Sequence, residues 1–436
     1  MIFEPEYETM PRATLEALQL ERLQRLVGYV RERVVLYRDR LEGVPEIRSL
    51  DDLRRLPFTR KTDLRDTYPF GLLAVPREEC VRLHASSGTT GKPIVVAYTR
   101  EDVDLFARVN ARVLAMAGAE PGMVLHNAYG YGLFTGGLGL HYGGERLGMT
   151  VVPVSGGMTE RQVGLIEDLR PDVITCTPSY ALTLAQAFAE RGVTPDEISL
   201  RFACVGAEPW TESMRAEIDT GLGIRATNIY GLSEIIGPGV SNECVEARAG
   251  SHVNEDHFLP EVVEPESGEP LPDGEQGVLV ITTLTKQALP LLRYWTGDIT
   301  SLDREPCSCG RTLARMALIA GRTDDMLIVR GVNVYPTQVE SVLLQMPELT
   351  PHYRLVVTRD RTLDEVEVQV EVSASYFDSV AGVLDSDASR PLENRVEKLI
   401  RGTIGTSMRV TLLAPGDGPR SEGGKLARVD DRRTLE

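Results

Sequence analysis

The sequence predicts an α/β protein with two parts: a large N-terminal domain of mostly parallel sheets plus a small β unit, and a small α+β domain at the C-terminus. Short apolar runs alternate with helical patterns from about residue 120 to residue 230. Glycines and prolines then divide Pro260–Leu302 into short β runs, and a further set of strands and helices follows. A chain of 436 residues is long enough for two domains that each bury a core.

The N-terminal region begins with a predicted amphipathic helix over Thr14–Leu41, where leucines and valines recur at helical spacing. The alternation after residue 120 is typical of a parallel sheet whose strands are joined by right-handed helical crossovers. The predicted strands are Val151–Val154, Val173–Thr177, Phe202–Val205 and Thr227–Tyr230, and the predicted helices are Thr159–Arg170 with Thr159 as N-cap, Ser179–Arg191 and Trp210–Thr220. Ligands of such sheets bind at the carboxyl ends of the strands.

The turn residues of Pro260–Leu302 predict a small antiparallel unit that includes a strand at Gly277–Ile281. We expect a domain boundary near Gly321–Asp325, which divides the chain into residues 1–322 and 323–436. The predicted elements of the second domain are a strand at Met326–Val329, a helix that begins at Pro336, an alternating strand over Val366–Val372, a helix with Leu392, Val396, Leu399 and Ile400 on one face, and a last strand at Val410–Leu413.

The charge balance excludes some classes of function. The chain has 47 basic and 64 acidic side chains, a formal charge of −17. It therefore lacks the basic surface of a general nucleic-acid or membrane binder, although a local basic pocket for a phosphorylated ligand remains compatible with this charge. Met1–Glu6 carries acids where a secretory signal would carry Lys or Arg, and His126, Asn127 and several glycines interrupt the apolar stretch Met123–Leu140. We therefore expect a cytoplasmic protein.

The strongest chemical signal is the segment Ser86-Ser87-Gly88-Thr89-Thr90-Gly91-Lys92, which Pro93 follows. Glycines and small hydroxyl residues allow backbone N–H groups to surround phosphate oxygens, and Lys92 adds a positive charge. The segment differs from the mononucleotide P-loop, which has four residues between its glycines and Ser or Thr after its lysine. Taken alone, it is also compatible with a flexible turn.

Five further motifs follow this segment in the chain. Gly206-Ala207-Glu208-Pro209 lies at a predicted strand-to-helix junction, and Tyr230-Gly231-Leu232-Ser233-Glu234 follows another predicted strand. A tyrosine can stack on a purine, and a carboxylate can hold Mg²⁺ that bridges phosphates. The other motifs are Arg293–Asp298, with a carboxylate for a diol such as ribose, Gly321–Asp325, and Pro419–Lys425. Each motif alone could be a turn or a cap, but six in this order favour a nucleotide site.

These motifs resemble those of the adenylating superfamily that comprises acyl-CoA synthetases, adenylation domains and luciferases (ANL). Within it, the chain is similar to the phenylacetate–CoA ligase family over Tyr129–Gly137, His141–Gly143, Val154–Gly157 and Asp324–Val334. The resemblance implies an ANL fold with a mobile C-terminal lid domain, and a reaction in two steps. An aryl carboxylate attacks the α-phosphate of Mg·ATP, which gives an acyl adenylate and pyrophosphate. The thiol of CoA then attacks the adenylate, which gives a thioester and AMP.

The resemblance also implies residue roles. Asn228 and Tyr230 would contact adenine, Asp298 the ribose, and Glu234 would hold Mg²⁺. Arg322 would lie near the ribose and phosphates, Lys425 would neutralise the charge between α-phosphate and carboxylate, and Asp324 would be the hinge. The β- and γ-phosphates would be held by Ser86, Ser87, Gly88, Thr89, Thr90, Gly91 and Lys92, and the nucleotide site would also include Gly206, Ala207, Glu208, Pro209, Gly231 and Ser233. The predicted catalytic group is Lys425, Glu234, Arg322 and Asp298.

The candidates for the acid pocket are aromatic, aliphatic or small residues near the matching motifs. A flat apolar slot suits an aromatic ring, but ordinary core packing explains some of these residues equally well. The candidates are Tyr131, Phe134, Gly136, Ala207, Ile235, Ile236 and Pro238, with Tyr131 and Phe134 favoured. Ala207 stands where many superfamily members have a second glycine, which narrows the floor of the pocket. Gly423-Gly424 precedes Lys425, where a single glycine is more usual.

Four residues form a candidate metal site. Cys307 and Cys309 are a Cys-x-Cys turn, and Cys244 lies eight residues before His252. Three thiolates and one imidazole are a closed tetrahedral ligand set for structural Zn²⁺. His257 is a rival ligand, and the thiols could also be unrelated in a reducing cytosol. Cys80, Cys176 and Cys204 are predicted to be buried small apolar residues.

Several alternatives stay open at this stage. The adenylate could be delivered to the phosphopantetheine of a separate carrier protein, or to an amine, instead of CoA. A nucleotide-binding regulator without catalysis is a second alternative, which the joint presence of Glu234, Asp298, Arg322 and Lys425 argues against. The motifs leave open which aryl acid is used. The oligomeric state is open as well, with a homodimer the usual arrangement in similar families.

Overall fold

The structure, a computed structural model, describes residues 1–86, 93–323, 327–329, 332–360, 363–384, 388–420 and 428–432. It has the predicted α/β organisation, with a large mixed sheet in the N-terminal part and a separate C-terminal domain that has its own sheet. Among the described residues, no helix combines the length and the apolar character needed to cross a membrane.

The helices of the described residues are α1 (Pro5–Glu8), α2 (Arg12–Arg33), α3 (Val35–Arg40), α4 (Lys61–Asp66), α5 (Arg100–Met116), α6 (Gly136–Leu147), α7 (Thr159–Leu169), α8 (Pro178–Glu190), α9 (Glu212–Leu222), α10 (Pro336–Leu343), α11 (Ala374–Ser379) and α12 (Arg390–Ile404). Short 3₁₀ helices cover Leu50–Arg55, Arg77–Glu79 and Pro195–Glu197.

The strands up to the middle of the chain are β1 (Arg82–Ala85), β2 (Val95–Tyr98), β3 (Val124–Asn127), β4 (Thr150–Val152), β5 (Val173–Cys176), β6 (Phe202–Gly206), β7 (Arg225–Leu232), β8 (Gly237–Glu243), β9 (Ser251–Val253), β10 (Phe258–Val263) and β11 (Gly277–Thr283). Those that follow are β12 (Tyr294–Thr300), β13 (Leu302–Asp303), β14 (Arg315–Met316), β15 (Gly321–Arg322), β16 (Leu327–Val329), β17 (Val332–Val334), β18 (Leu349–Asp360), β19 (Leu363–Val372), β20 (Arg409–Leu413) and β21 (Val429–Asp431).

A nine-stranded sheet organises the N-terminal part, in the order β13-β14-β9-β8-β7-β6-β5-β3-β4. Strands β4, β3, β5, β6 and β7 pair in parallel, as predicted. From β7 outward, β8, β9, β14 and β13 pair antiparallel, so the antiparallel half is larger than the sequence indicated. The chain reverses between Leu232 and Gly237, and Gly237 has a φ of +105°, a conformation that favours glycine.

A second sheet holds the predicted small β unit. Its order is β10-β11-β12-β15, and all three pairings are antiparallel. Strand β11 is buried along its whole length. Strand β15 is an outer strand of this sheet and pairs with β12, so that Arg322 lies opposite Asp298. The segment next to the predicted domain boundary is therefore part of this sheet.

Three helix ends differ from the sequence prediction. The predicted helix Thr14–Leu41 is two helices, α2 and α3, because Val34 between them has an extended backbone. Thr159 is not the N-cap of α7: Met158 holds that position with a left-handed backbone, and Thr159 is the first helical residue. Helix α9 begins at Glu212 because the hydroxyl of Thr211 accepts from the backbone N–H of Met214 and caps it.

The C-terminal domain has a four-stranded sheet in the order β20-β19-β18-β21. The alternating valines of β19 point into one core, where Val368, Val370 and Val372 are fully buried against α10 and α12. The strand predicted to be the last, β20, is followed by β21, which pairs in parallel with β18. Strands β3, β18 and β21, helices α5 and α6, and the β1–β2 hairpin were not predicted from the sequence.

A cavity of about 310 Å³ lies between the N-terminal part and the C-terminal domain. One wall consists of Trp210, Thr211, Leu318, Ile319 and Ala320, and the other of Thr337, Gln338, Ser341, Thr403 and Ile404. Beside it, the hydroxyl of Thr337 donates to the carbonyl of Ala320 at 2.5 Å. The two walls therefore stand on either side of the predicted boundary.

Candidate active site

The predicted site motifs follow the carboxyl ends of the parallel strands. Asn127 ends β3, Gly206 ends β6 and Leu232 ends β7, and these strands run in parallel, so their ends share one edge of the sheet. Glycine is required at Gly206, because a Cβ there would lie 2.2 Å from the carbonyl oxygen of Ile229. The two predicted nucleotide motifs at β6 and β7 are thus in backbone contact.

The residue after Gly206 has an unusual backbone. Ala207 adopts a φ of +69°, in the left-handed region that favours glycine. Its side chain is half-buried and packs against the core cluster of α5 and α6. The next residue, Glu208, accepts from the hydroxyl of Ser179 at the start of α8 at 2.7 Å. The alanine therefore occupies a backbone position suited to the second glycine that is common in the superfamily.

Three predicted site residues from three motifs meet at one carboxylate. The hydroxyl of Tyr230 donates to Asp298 Oδ2 at 2.6 Å, and the guanidinium of Arg322 donates to Asp298 Oδ1. Arg322 also donates to the carbonyl of Thr296 at 3.0 Å, which fixes its plane. Tyr230 and Asp298 are buried, and Arg322 is half-buried.

The electrostatics of this group keep Tyr230 protonated. Burial, followed by the charge of Asp298, raises the pKa of Tyr230 well above its usual value, so its hydroxyl stays a hydrogen-bond donor. Arg322 supplies the compensating charge for the carboxylate. An ionised carboxylate accepts hydrogen bonds through about four lone-pair sites, which is the chemistry that the two hydroxyls of a diol require.

Asn228 is held inside the sheet. Trp210 Nε1 donates to its side-chain oxygen at 2.8 Å, and its side-chain nitrogen lies 3.4 Å from the hydroxyl of Ser251. Its backbone N–H donates to Glu243 at 2.8 Å. The predicted adenine contact of Asn228 would thus involve a residue whose amide group already has two protein partners.

Glu234 lies where β7 gives way to the reversal before β8. It is 6 % exposed, and within the described part of the chain its carboxylate makes no hydrogen bond or ion pair. Its carbonyl oxygen accepts from the ammonium of Lys286 at 3.2 Å. A carboxylate without a protein partner has its oxygens available for a hard cation, so this residue fits the predicted magnesium ligand.

Tyr131, the favoured acid-pocket residue, is held by a line of polar groups. Asn127 Nδ2 donates to its hydroxyl at 2.7 Å, and that hydroxyl lies 3.2 Å from His141 Nδ1. His141 Nε2 in turn lies 3.2 Å from Glu145. Burial raises the pKa of Tyr131 to about 12, so it stays protonated. Phe134 is half-buried with its ring tilted against Tyr129, and a Cβ at Gly136 would meet that ring at 2.5 Å.

The other acid-pocket candidates lie deeper. Ile235 and Ile236 are fully buried in the largest hydrophobic cluster of the N-terminal part, as the core-packing alternative expects. Pro238 is half-buried and its carbonyl accepts from Asn110 at 3.0 Å. The hydroxyls of Thr135 and Ser233 lie 3.2 Å apart, and this contact joins the Tyr129–Gly137 segment to the Tyr230–Glu234 segment.

The four predicted metal ligands form one cluster. The ligand atoms of Cys244, His252, Cys307 and Cys309 all lie within 4.8 Å of one another. Cys309 Sγ is 3.5 Å from His252 Nε2, and Cys244 Sγ is 3.7 Å from Cys307 Sγ. The pairing of β9 with β14 sets His252 opposite Arg315, beside the Cys-x-Cys turn.

Hydrogen bonds within this cluster shift the pKa values of its thiols in opposite directions. A hydrogen bond from His252 lowers the pKa of Cys307 and one from Cys244 lowers that of Cys309, whereas the hydrogen bond with Cys309 raises the pKa of Cys244. His252 Nδ1 lies 3.4 Å from the carbonyl of Leu313, which leaves Nε2 as the ligand atom. His257 lies outside the cluster, because its ring nitrogens face Thr285 and Asp256.

Some predicted residues fall outside the described part of the chain. They are Ser87, Gly88, Thr89, Thr90, Gly91, Lys92, Asp324 and Lys425. Ser86, the first residue of the phosphate segment, is described: its backbone N–H donates to the carbonyl of Ile94 at 2.9 Å, at the loop end of the β1–β2 hairpin.

Two residues of the site region were missed by the sequence analysis. Asn127 holds Tyr131, and its only sequence signal is its position as a polar residue within the apolar stretch Met123–Leu140. Lys286 holds the backbone of Glu234, and its signal is a single positive charge within the apolar stretch from Val278 to Leu292. Burial lowers the pKa of Lys286 to about 8.

Comparisons with known proteins agree with this geometry. Residues 18–285 match the family model of the AMP-binding enzyme, and residues 331–433 match that of the AMP-binding enzyme C-terminal domain. The chain is 65 % identical to the phenylacetate-coenzyme A ligase of Thermus thermophilus, over 99 % of this chain and 100 % of that protein. It is 50 % identical to the phenylacetate-coenzyme A ligase of Aromatoleum evansii, over 97 % of this chain and 95 % of that protein.

A solved structure adds a conformational comparison. A 2-hydroxyisobutyryl-CoA ligase in the postadenylation state, with its acyl-AMP bound, is 30 % identical and superposes with a TM-score of 0.90 over 98 % of this chain and 92 % of that chain. The same ligase in the thioesterification state, with CoA bound, superposes with a TM-score of 0.72 over the same shares.

Proposed function

This chain belongs to the AMP-binding enzyme family, and from that membership we propose that it is an AMP-forming aryl acid–CoA ligase of the phenylacetate–CoA ligase type. It converts ATP, an aromatic carboxylate and CoA into an aryl-CoA thioester, AMP and pyrophosphate. Full-length relatives at 48–65 % identity carry the name of this activity.

The meeting of Tyr230 and Arg322 at the Asp298 carboxylate is the observation that carries this proposal. Three motifs far apart in the chain converge on one buried, charge-compensated acceptor, which suits the two hydroxyls of a ribose. We propose that a purine ring stacks on Tyr230, whose strand β7 pairs with β6 at Gly206. Adenine is thus assigned to this junction, ribose to Asp298, and the phosphates to the side of Glu234.

The remaining roles rest on the family. We assign the β- and γ-phosphates to Ser86–Lys92, the charge between α-phosphate and carboxylate to Lys425, and the hinge to Asp324, with the domain boundary at 322/323. Mg²⁺ would be held by Glu234, whose carboxylate has no protein partner in the described residues, and it would supply charge to the triphosphate. The higher TM-score with the postadenylation state supports an arrangement of the two domains that follows adenylation.

Phenylacetate is the proposed acid. The aromatic segment around Tyr131 and Phe134 would supply flat apolar walls, and the line Asn127–Tyr131–His141 would fix the tyrosine ring. We expect phenylacetate to be preferred over an aliphatic acid of similar length, because the tyrosine cannot turn away from the pocket without breaking two hydrogen bonds.

A screen of pyrophosphate release tests the proposal. Aryl and alkyl acids are supplied with Mg·ATP, with and without CoA, and the thioester is measured in the same samples. We expect pyrophosphate release with aryl acids and a thioester only when CoA is present. If pyrophosphate is released but no thioester forms when CoA is present, the acceptor would be a carrier protein or an amine. If no acid-dependent AMP forms at all, a non-catalytic regulator would be favoured.

We also propose that Cys244, His252, Cys307 and Cys309 bind a structural zinc ion. The four ligand atoms lie within 4.8 Å of one another, and the donor set is typical of a closed tetrahedral site. The ion would tie the Cys-x-Cys turn to β9 and to the end of β8, away from the chemistry.

Elemental analysis of protein purified without added metal tests the zinc site. One equivalent of zinc is expected in the wild-type chain and in His257→Asn, and none in His252→Asn, because only His252 is among the clustered ligands. Zinc retained by His252→Asn would contradict the assignment, and so would a wild-type protein without stoichiometric zinc.

A further inference from the structure

A buried lysine lies directly behind the predicted magnesium carboxylate. The Lys286 side chain is 2 % exposed, and its ammonium donates to the carbonyl of Glu234 at 3.2 Å. The ammonium also lies 5.1 Å from the centre of the Tyr98 ring, over its face. Burying a charge is costly unless it serves an interaction, and within the described residues the carbonyl of Glu234 is the one hydrogen-bond acceptor of this ammonium.

The backbone next to Lys286 is held in place by a second buried group. The carboxylate of Asp102, in the first turn of α5, accepts from the N–H of Gln287 at 2.7 Å and from that of Ala288 at 2.8 Å. The same carboxylate accepts from the N–H of Thr99 at 3.0 Å, in the capping box of α5. The backbone next to Lys286 is therefore held by hydrogen bonds to Asp102, and the position of the ammonium at Glu234 does not depend on a flexible loop.

Tyr98 holds the same segment two residues further on. Its hydroxyl donates to the carbonyl of Ile236 at 2.9 Å, and its side chain is fully buried. Tyr98 ends strand β2 of the hairpin that flanks the predicted phosphate segment. Two backbone carbonyls of the Glu234–Ile236 segment therefore accept hydrogen bonds, one from Tyr98 of the hairpin and one from Lys286, whose ammonium lies over the Tyr98 ring.

We propose that Lys286 is a positioning residue for magnesium: its ammonium fixes the backbone of Glu234 so that the carboxylate is presented to Mg²⁺ on the triphosphate. Tyr98 supports the same segment at Ile236. This inference rests on the proposed function, in which Glu234 holds the ion. Groups that orient a metal ligand typically change metal affinity by about 10–100-fold when they are removed.

The test compares three variants with the wild-type enzyme. Lys286→Met removes the charge and the donor at similar length, Lys286→Arg keeps both, and Lys61→Met is a control at a half-exposed lysine of α4. The measurements are the Mg²⁺ concentration for half-maximal ATP–pyrophosphate exchange, KM for phenylacetate, and the thermal midpoint of unfolding. Tyr98→Phe, which removes only the hydroxyl, is measured in the same way.

We expect Lys286→Met to raise the half-saturating Mg²⁺ concentration about tenfold or more, with KM for phenylacetate nearly unchanged. Lys286→Arg should recover most of the magnesium affinity, Tyr98→Phe should share the defect in weaker form, and Lys61→Met should behave as wild type.

A lower thermal midpoint with an unchanged magnesium requirement would show that Lys286 serves only the fold, and tighter magnesium binding in Lys286→Met would also overturn the inference. Failure of the proposed function is distinct, because the wild-type enzyme would then show no acid-dependent exchange at any Mg²⁺ concentration.

Discussion

The hydroxyl of Tyr230 lies 2.6 Å from Asp298 Oδ2, although 68 residues separate the two in the chain. The tyrosine belongs to the nine-stranded sheet and the aspartate to the four-stranded sheet, so this hydrogen bond joins the two sheets at the proposed ribose site. Loss of the bond should loosen the carboxylate without removing it.

Replacing Tyr230 by Phe tests this bond. The change keeps a ring for stacking and removes one hydrogen bond to a charged group, typically about 1.5–3 kcal/mol, so we expect KM for ATP to rise by about tenfold or more. KM for phenylacetate should change much less, because the acid does not contact Asp298 in the proposed arrangement. Steady-state kinetics with Tyr376→Phe, on α11 of the C-terminal domain, provide the control. Equal increases in both KM values would argue against a specific nucleotide role.

Lys425 is predicted to act in the first half-reaction. Lys425→Ala should slow adenylation by about 10²–10³-fold or more, the usual cost of removing a charge that stabilises the transition state. ATP–pyrophosphate exchange measures this step, with Lys398→Ala on α12 as the control. Near-normal exchange in Lys425→Ala, combined with loss of thioester formation, would show that the assignment is wrong.

Asp324 is predicted to be the hinge between the half-reactions. Proline fixes φ and would hinder rotation at this position, so Asp324→Pro should leave ATP–pyrophosphate exchange largely intact and impair thioester formation from the adenylate. The two half-reactions are measured separately in the same preparation. Equal loss of both would speak against a hinge.

We expect the stability of the C-terminal domain to depend on pH through Glu340. The side chain is buried on α10, 3.6 Å from Arg428 and near Tyr353, with Glu208 of the N-terminal part also acting on it. Burial raises its pKa from 4.5 to about 7. Between these values the folded chain binds a proton that the unfolded chain has lost, so stability falls as pH rises through this window, by about 3 kcal/mol in total.

Glu340→Gln removes this titration. We expect the variant to be more stable than wild type at pH 8 and similar to it at pH 5, as measured by thermal unfolding of the full chain at both pH values. A variant that is less stable at pH 8 would mean that the ion pair with Arg428 outweighs the cost of burying the charge.

Many elements were predictable because their patterns are local. A local hydrophobic pattern predicts a strand whatever the structure around it. This holds for the strands around Val173, Phe202 and Thr227 and for the alternating strand that ends at Val372. Strands β18 and β21 were missed, since each depends on its partners in a sheet more than on its own residues. Thr159 was the wrong N-cap because a left-handed Met158 is not readable from composition.

The sequence by itself determined the class of fold, the family and the inventory of chemical groups, because hydrophobic periods and contiguous motifs are properties of neighbouring residues. Only the tertiary structure decided which groups meet. It brings His252 rather than His257 next to the three cysteines, pairs the side-chain amide of Asn228 with Trp210, and places the ammonium of Lys286 on the carbonyl of Glu234. These contacts join residues distant in the chain, and their geometry depends on how sheets and helices pack together, which no local pattern records.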